Sequence, residues 1–192
     1  KDIPIIYISG GISYYNPHAT NISEDAELGW SGLGGCYGLS KLLGEDSLKR
    51  LRKRGLNLAI LRASSIYGAG MKSKKVISRF IESAVNDVEI ELFPPVENTI
   101  DLIHAYDVSC AVWKILDMKK WTDFNVASGS MVSFQSLAHT CVELFGGGKV
   151  VEREARGATG FKKDTFNLNC DKARVLLDWS PSVDLKTGLK MM

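Results

Sequence analysis

The sequence has little of what marks several classes of protein. Its four cysteines are scattered without a C-x-x-C spacing, which gives no zinc-site pattern and predicts reduced thiols in an intracellular, cytoplasmic protein. The net charge of +2 is too small to indicate a nucleic-acid or membrane partner. No apolar run reaches the roughly 18 residues of a transmembrane helix, and no signal peptide opens the chain. The first residue is not methionine, so we expect the chain to begin within a longer protein.

The first 62 residues predict a strand, a long loop, a helix and a second strand. Residues 3–9 form a β-branched run typical of a parallel strand buried on both faces. Residues 10–35 lack periodicity, and loops of that length are often functional. A helix is expected over residues 37–54, with an apolar face supplied by Leu39, Leu42, Leu43 and Leu48. Residues 56–62 predict another buried strand, and the order implies a right-handed βαβ crossover.

The rest of the chain predicts shorter elements of both types, after a small-residue loop over residues 63–70. We expect helices over residues 75–85, 108–118 with Asp107 as the cap, 134–145 with Ser133 as the cap, and 171–177. Short strands are expected over residues 88–93, 100–103, 123–127, 150–151 and 166–168.

Tyr37 and Lys41 form the most suggestive pair of side chains. They lie four residues apart near the start of the predicted helix, so both point from one helix face. A cation beside a phenol favours the phenolate and lowers the pKa of the phenol, which makes a tyrosine useful as a general acid or base. A Tyr-x-x-x-Lys spacing also occurs by chance in many helices, so the pair alone does not establish chemistry.

Five segments in order give the chain a family resemblance. They are Ile8-Ser9-Gly10-Gly11, Tyr37-Gly38-Leu39-Ser40-Lys41, Leu61-Arg62-Ala63-Ser64-Ser65-Ile66-Tyr67-Gly68, Asp101-Leu102-Ile103-His104-Ala105-Tyr106-Asp107-Val108, and Phe124-Asn125-Val126-Ala127-Ser128-Gly129. The chain resembles the extended short-chain dehydrogenases/reductases, the NAD-dependent epimerase/dehydratase group. This resemblance implies an α/β fold: part of a doubly wound, Rossmann-like parallel sheet with a small mixed C-terminal substrate lobe. Residues 1–70 would belong to the Rossmann-like part, and residues 71–192 mainly to the lobe.

The family's opening nucleotide-binding segment is missing from the sequence. The family begins with a strand, a G-x-x-G-x-x-G turn and a helix that hold the cofactor pyrophosphate, followed by a residue that selects NAD or NADP. Neither feature is present, and the glycines at 32, 34 and 35 follow no predicted strand. The chain therefore resembles the C-terminal part of the family pattern, and the cofactor is expected to be NAD or NADP.

The resemblance assigns roles to particular residues. Tyr37 would be the proton shuttle, and Lys41 would hold the nicotinamide ribose and tune the tyrosine. The family's third catalytic residue, a Ser or Thr, falls on Gly11. Either Ser13 replaces it, as a better candidate than Ser9, or nothing does. The resemblance places the cofactor against Tyr37, Lys41, Ser9, Gly10, Gly11, Ala63, Ser64, Ser65 and Ile66.

Several positions depart from the family pattern or have two interpretations. Ser65 and Ala63 stand where Asn and Pro are common, and Ile100 stands where an Arg usually grips the substrate phosphate. His104 and Asp107 are interpreted as structural. Two groups of residues have two interpretations each. Tyr14 and Tyr15 would either form a wall of the substrate site or pack the loop. A set of later basic residues would either bind phosphate or be surface charge: Arg153, Arg156, Lys162 and Lys163.

The leading functional prediction is an NAD(P)-dependent epimerase, dehydratase or reductase that acts on a nucleotide sugar. Two alternatives remain at this point. One is a reductase or dehydrogenase of a non-nucleotide alcohol or ketone, favoured by Ile100 and Ser65. The other is a non-catalytic binding homologue, favoured by Gly11. The family also suggests a homodimer that packs through the helix bearing Tyr37.

Overall fold

Short strands alternate with helices along the chain. The computed structural model describes residues 3–16, 18–32, 34–71, 75–154 and 166–192. The strands are β1 Ile5–Gly10, β2 Leu58–Ala63, β3 Ser65–Tyr67, β4 Ile90–Leu92, β5 Thr99–His104, β6 Asp123–Val126, β7 Met131–Ser133 and β8 Val150–Glu152. The helices are α1 Gly35–Arg52, α2 Val76–Val85, α3 Ala105–Asp117, α4 Phe134–Phe145, α5 Asp171–Leu177 and α6 Leu185–Lys190, and a 3₁₀ turn, Gly11–Ser13, follows β1.

The central sheet is parallel and has the order β1-β2-β6 among the described strands. Every residue of β2 is buried, because this strand has a neighbour on each side. The expected α/β fold with a parallel sheet is confirmed. The expectation that the first strand is buried on both faces is wrong: β1 pairs only with β2 in the described part of the chain, and most of its residues are partly exposed. All three strands point their carboxyl ends at one edge of the sheet, where Gly10, Ala63 and Val126 lie side by side.

Smaller sheets complete the fold. β3 pairs parallel with β5, β5 pairs antiparallel with β7, and β4 pairs parallel with β8. The interpretation of residues 63–70 as a loop is therefore wrong for the three residues of β3, and β7 and α6 were not anticipated. The expected strand at 166–168 is also wrong, since its one strand-like contact is a bridge between Leu168 and Ile22. The division of the chain near residue 70 stays a prediction.

The long segment between β1 and α1 is pinned to the rest of the molecule. Tyr14 bridges to Leu28 within the segment, and Ile22 bridges to Leu168 near the C-terminal end. Tyr14, Ile22 and Leu168 are all buried in the same core as the central sheet. A segment without periodicity in its sequence thus becomes part of the core.

Helix α1 buries few of its residues fully. None of its described leucines is fully buried, and Leu43 is 58% exposed. The buried residues are Gly38 and Glu45. The helix therefore meets the sheet through a charged residue and a glycine, and the role of the leucine face stays a prediction.

Asp107 joins α3 to the C-terminal segment. The N-cap of α3 is His104, whose side chain accepts a hydrogen bond from a first-turn amide, so the prediction that Asp107 caps the helix is wrong. The buried Asp107 carboxylate instead accepts hydrogen bonds from the amide and hydroxyl of Ser182, at 2.9 and 2.7 Å, and from the amide of Val183 at 3.1 Å. The Trp179 indole donates to the Asp107 carbonyl at 3.0 Å. Asp107 thus has a structural role, though not the predicted one of a cap, and the structural interpretation of His104 stays a prediction.

All four cysteines are free. Burial raises the pKa of Cys141 to about 11 and that of Cys170 to about 12, so both thiols stay protonated at neutral pH. No helix within the described ranges combines the length and the apolarity needed to cross a membrane.

Candidate active site

A cavity of about 550 Å³ opens at the carboxyl ends of β1 and β2. Its lining comes from the end of β1 and the turn after it, the start of α1, the segment following β2, and the residues that enter β5. Of the ten residues predicted for the site, nine line this cavity and one, Ser13, does not. The nine are Ser9, Gly10, Gly11, Tyr37, Lys41, Ala63, Ser64, Ser65 and Ile66.

Tyr37 and Lys41 meet at the wall of this cavity. The Lys41 Nζ atom lies 5.6 Å from the centre of the Tyr37 ring and 5.2 Å from the centre of the Tyr7 ring. It also donates a hydrogen bond of 2.9 Å to the carbonyl oxygen of Ile8. That bond ties the ammonium group to β1, so its position is fixed by the sheet as well as by its own helix. Tyr37 is 60% exposed, which leaves its phenol accessible to a ligand.

A close contact sets where α1 begins. Gly34, the N-cap, has a left-handed φ of 70°, and a β-carbon there would collide with the Cδ1 atom of Ile12. Glycine accepts both the backbone conformation and the contact. The first turn of α1 therefore packs against the turn that follows β1, and this packing brings Tyr37 to the cavity.

The hydroxyl groups of Ser9 and Ser13 are hydrogen-bonded within the protein. The Ser9 hydroxyl donates to the Glu45 carboxylate at 2.6 Å and lies 3.1 Å from the Ser13 hydroxyl. Because the single Ser9 proton goes to Glu45, Ser13 must be the donor in the second bond. Ser13 is fully buried, so the structure does not bring it to the position that the sequence prediction gave it.

A buried cluster of charged groups, the Arg62 cluster, lies behind α1. Its centre is Arg62, which is 0% exposed and bonds Glu45 at 2.7 Å and Asp123 at 2.9 Å. Lys49 and Arg52, from the last turns of α1, also pair with Asp123 at 3.2 and 2.7 Å. The cluster connects α1 to β2 and β6, and so holds the helix that carries Tyr37 and Lys41.

Ion pairing overrides burial in this cluster. Burial works to raise the pKa of Glu45, but the hydrogen bonds and charge of Arg62, the Ser9 hydrogen bond and the Lys49 charge together outweigh it and hold that pKa below its usual range. Burial likewise opposes ionisation of Asp123, and a hydrogen bond from Arg52 helps to keep its pKa low. For Arg62, burial disfavours the charge, yet the bonds to Glu45 raise its pKa. All three groups are therefore charged at neutral pH.

Tyr14 belongs to the Arg62 cluster. Its hydroxyl donates to the Asn125 side chain at 2.7 Å and accepts from Arg62 at 3.1 Å, and burial raises its pKa to about 12. Tyr15 is exposed and does not line the cavity. Of the two interpretations of this pair, loop packing is the one that the positions support.

Asp101 is a cavity residue that the sequence prediction did not single out. Its carboxylate accepts four hydrogen bonds, all between 2.8 and 2.9 Å, from the Ser64 hydroxyl, the amide and hydroxyl of Ser128, and the amide of Gly129. The bonds fix the segments that follow β2 and β6 to β5. Asp101 thus holds one side of the cavity in shape.

Lysines bring positive charge to the cavity: Lys41, as predicted, and Lys75. Ile100 lines it, as expected of the position that lacks an arginine. Arg153 pairs with Glu89 and Glu91 outside the cavity, at 2.7 and 3.0 Å, while Arg156, Lys162 and Lys163 lie outside the described residues. Lys75, just before α2, is a lining residue that the sequence prediction missed.

Two signals in the sequence could have revealed the Arg62 cluster. Arg62 ends a run of apolar residues that predicts a buried strand, and a buried arginine requires a partner. Glu45 follows Lys41 by four residues on the helix face already assigned to the site. Asp123 carries no such signal, since its closeness to Arg62 depends on the pairing of β2 with β6.

Parallel strands that end together at a cavity, with a tyrosine and a lysine from the adjoining helix, define an α/β nucleotide-binding fold with a candidate acid–base pair. Residues 4–127 match the model of the NAD-dependent epimerase/dehydratase family. The chain belongs to this family.

Curated relatives and solved structures agree with the family. A Methanocaldococcus jannaschii protein assigned as a UDP-glucose 4-epimerase is 29% identical over 189 residues, which cover 95% of this chain and 59% of that protein. The dTDP-4-dehydro-6-deoxy-D-allose reductase of Streptomyces bikiniensis is 28% identical over 159 residues, 80% of this chain and 48% of that one. The structure of the Bacillus cereus UDP-glucuronic acid 4-epimerase with UDP-glucuronic acid and NAD superposes with a TM-score of 0.82 at 24% identity, covering 97% of this chain and 59% of that one.

The chain thus spans about half to three-fifths of the length of these proteins. The likeness in structure shows a shared fold, and the family match gives the family of the chain.

Proposed function

We propose that this chain supplies the acid–base pair and part of the substrate site of an NAD-dependent epimerase, dehydratase or reductase that acts on a nucleotide sugar. One observation carries the proposal: the Lys41 ammonium group lies beside the Tyr37 ring at the wall of a 550 Å³ cavity. The names of the relatives support the substrate class, since they are enzymes of UDP- and dTDP-linked sugars.

The residues at the cavity suit the nicotinamide end of NAD. Lys41 has three N–H donors, and one of them is used by Ile8, so two remain for ribose hydroxyls. Gly10 and Ala63 lie at adjacent strand ends, and their small size leaves room in the cavity for a ligand. Bound NAD would accept or return a hydride. The sequence has no Gly-rich turn for the pyrophosphate, so these residues account for one end of the cofactor only.

Tyr37 is the residue proposed to move the proton. Its phenolic oxygen would take the proton of a sugar hydroxyl as a carbonyl forms, or return it in the opposite direction. The Lys41 ammonium group lies beside the ring, and its hydrogen bond to the Ile8 carbonyl oxygen holds it there. The Arg62 cluster fixes the helix that carries both.

Substrate phosphate would have to be held without the arginine that Ile100 replaces. The lining includes Lys75, which lies just before α2 and so on a different part of the chain from Lys41. A nucleoside diphosphate carries negative charge that a lysine can balance. We propose Lys75 as a phosphate contact of the substrate.

The test compares Tyr37→Phe with Tyr15→Phe in the full-length protein, supplied with NAD and UDP-glucose, UDP-glucuronic acid or dTDP-glucose. Loss of a general acid or base typically costs about 10²- to 10⁴-fold in rate, so Tyr37→Phe should lower kcat by that order and leave substrate affinity near its original value. Tyr15 is an exposed tyrosine outside the cavity, and its replacement should change neither. Unchanged turnover in Tyr37→Phe would refute the proposed role.

A non-catalytic binding homologue is the second candidate, and the Ser9–Ser13 arrangement favours it. Both hydroxyl protons are used within the protein, and position 11 is a glycine, so neither Ser9 nor Ser13 has a hydroxyl proton left for a ligand. Binding of a nucleotide sugar without turnover, in the presence of NAD and with Tyr37 intact, would identify this case. A reductase of a non-nucleotide alcohol, the other alternative, would show turnover but no thermal shift with any nucleotide sugar.

The homodimer through α1 also stays a proposal. Leu43 and Leu51 are exposed on this helix, at 58% and 44%, and would pack against a second copy. Sedimentation of the protein with Leu43→Glu tests it: a dimer that uses this face should dissociate, and one that does not should be unaffected.

A further inference from the structure

Tyr7 is a second aromatic neighbour of the Lys41 ammonium group. The Lys41 Nζ atom lies over the Tyr7 ring, 5.2 Å from its centre, and 5.6 Å from the centre of the Tyr37 ring. A cation within about 6 Å of the centre of a tyrosine ring is attracted to the face of that ring. Tyr7 is not among the residues that line the cavity, whereas Tyr37 and Lys41 are. Tyr7 can therefore act on a ligand only through a neighbour, and Lys41 is a neighbour that reaches the cavity.

Gly44 makes room for the Tyr7 ring against α1. A β-carbon built on Gly44 would collide with the phenolic oxygen of Tyr7 and lie 2.9 Å from its Cζ atom. Gly44 lies inside α1, where glycine is less favourable than alanine, and no left-handed φ requires it there. The close approach of the Tyr7 ring is thus the contact that needs a glycine at this position, one turn beyond Lys41.

Strand β1 holds the Lys41 side chain through two adjacent residues. Tyr7 provides the ring, and Ile8 provides the carbonyl oxygen that accepts a hydrogen bond of 2.9 Å from the Nζ atom. A lysine side chain has a flexible four-carbon stem, so one hydrogen bond alone restricts it weakly. The ring adds a second contact from the same strand, and the two contacts together hold the ammonium group at the cavity wall.

We propose that Tyr7 is a positioning residue, whose ring holds the Lys41 ammonium group beside Tyr37, and that Gly44 makes the space for this ring. The inference rests on the proposed function, because it names a further residue on which proton transfer by Tyr37 depends. The aromatic face is the part of Tyr7 that the positioning requires, and the hydroxyl group is not.

Turnover of the full-length protein tests the catalytic consequence, at saturating NAD with UDP-glucose, UDP-glucuronic acid or dTDP-glucose. Tyr7→Leu should lower kcat about two- to fivefold, the ratio that corresponds to the loss of one partly exposed cation–π contact. The KM of the nucleotide sugar should not change, because Tyr7 lies outside the cavity lining. Tyr7→Phe keeps the aromatic ring and should restore most of the rate. Tyr15→Leu, at an exposed tyrosine outside the cavity, is the matched control. An unchanged kcat in Tyr7→Leu, or an equal loss in Tyr7→Phe, would overturn the positioning role.

Urea unfolding tests the contacts of the Tyr7 ring without any ligand. The loss of unfolding free energy in the double variant of Tyr7→Leu and Lys41→Met should be smaller than the sum of the two single losses, because each change alone already breaks the same contact. Gly44→Ala should destabilise the unaltered chain, where its methyl group meets the Tyr7 ring, and stabilise Tyr7→Leu, where alanine is the better helix former. Additive losses, or a loss from Gly44→Ala in both backgrounds, would overturn the inference.

The two sets of measurements separate this inference from the proposed function. If the unaltered full-length protein turns over none of the three nucleotide sugars, the proposed function is overturned, and the catalytic role of Tyr7 with it. If turnover occurs but Tyr7 and Lys41 are not coupled in unfolding, the proposed function stands and only the role of Tyr7 is overturned.

Discussion

The two ends of one face of helix α1 have opposite environments. Toward its C-terminal end, Glu45 is 1% exposed and lies in the Arg62 cluster, where charges and hydroxyls bond each other. Near its N-terminal end, Tyr37 is 60% exposed at the cavity. Tyr37, Lys41 and Glu45 are spaced by four residues, so one helix face passes from open site to dry interior. The contrast teaches that fixing the helix and presenting chemistry are tasks of different residues, and that substitutions should separate them.

The largest expected loss of stability comes from Arg62→Met. Removing one member of a buried ion pair leaves its partners as uncompensated charges and typically costs about 3–5 kcal/mol. Glu45 and Asp123 would both lose their bonds to Arg62. Urea unfolding measures the change, and Arg50→Met is the control, because the pair of Arg50 with Asp46 lies on the exposed surface and should contribute little. A small effect of Arg62→Met would mean that the Arg62 cluster does not fix the helix.

A smaller loss is expected for Tyr14→Phe. The change leaves the Asn125 oxygen without its donor and removes an acceptor from Arg62, a cost of about 1–3 kcal/mol for buried polar groups. Thermal unfolding of Tyr67→Phe provides the matched comparison.

Tyr67 is as buried as Tyr14, but its hydroxyl has no hydrogen-bond partner among the described residues. Its removal should therefore be neutral or slightly stabilising. Equal losses in the two phenylalanine variants would show that hydrogen bonding in the Arg62 cluster contributes nothing beyond packing.

Acid should lower the free energy of unfolding that the Arg62 cluster contributes. The pKa values of Glu45 and Asp123 are lower in the folded chain than in the unfolded chain, so the unfolded state binds more protons as the pH falls. The stabilisation is complete above the unfolded values of about 4 and is lost progressively below them. Urea midpoints measured from pH 7 down to pH 3 should decline, and the decline should be shallower in Glu45→Gln. Parallel curves would argue against a contribution from Glu45.

The smallest change in unfolding free energy is expected for Tyr37→Phe, the variant proposed above to lose turnover. Its phenol is exposed, and surface substitutions usually stay within about 0.5 kcal/mol. Loss of turnover with unchanged stability would show that Tyr37 serves chemistry and not the fixing of α1. A large stability loss would show that the two roles are not separate.

The sequence predicted the open end of this helix face better than its buried end. The order of strands and helices follows from apolar periodicity, and the meeting of Tyr37 and Lys41 needs only a helix of the right register. The Arg62 cluster could not be predicted in the same way, because Arg62 and Asp123 are 61 residues apart and meet through strand pairing. Ser13 was misplaced for a related reason: it lies in a 3₁₀ turn after β1, and its hydroxyl bonds that of Ser9.

Phe166 shows another limit of sequence reasoning. Nothing in its own neighbourhood predicts that its ring fills the space beside Gly11, 155 positions earlier in the chain. The absence of a side chain at Gly11 could be noticed in the sequence, but what occupies that space depends on how the two ends of the chain come together.

The bonds to Asp107 determine how far the chain can be shortened. Ser182 and Val183 supply three donors to a carboxylate that is otherwise closed off from solvent, and Trp179 fixes the backbone beside it. A protease that cut before Ser182, or an engineered stop codon there, would strip those donors from a buried anion near the start of α3. The last turns of the chain are therefore a poor place for deletion, and a tag for purification belongs beyond them.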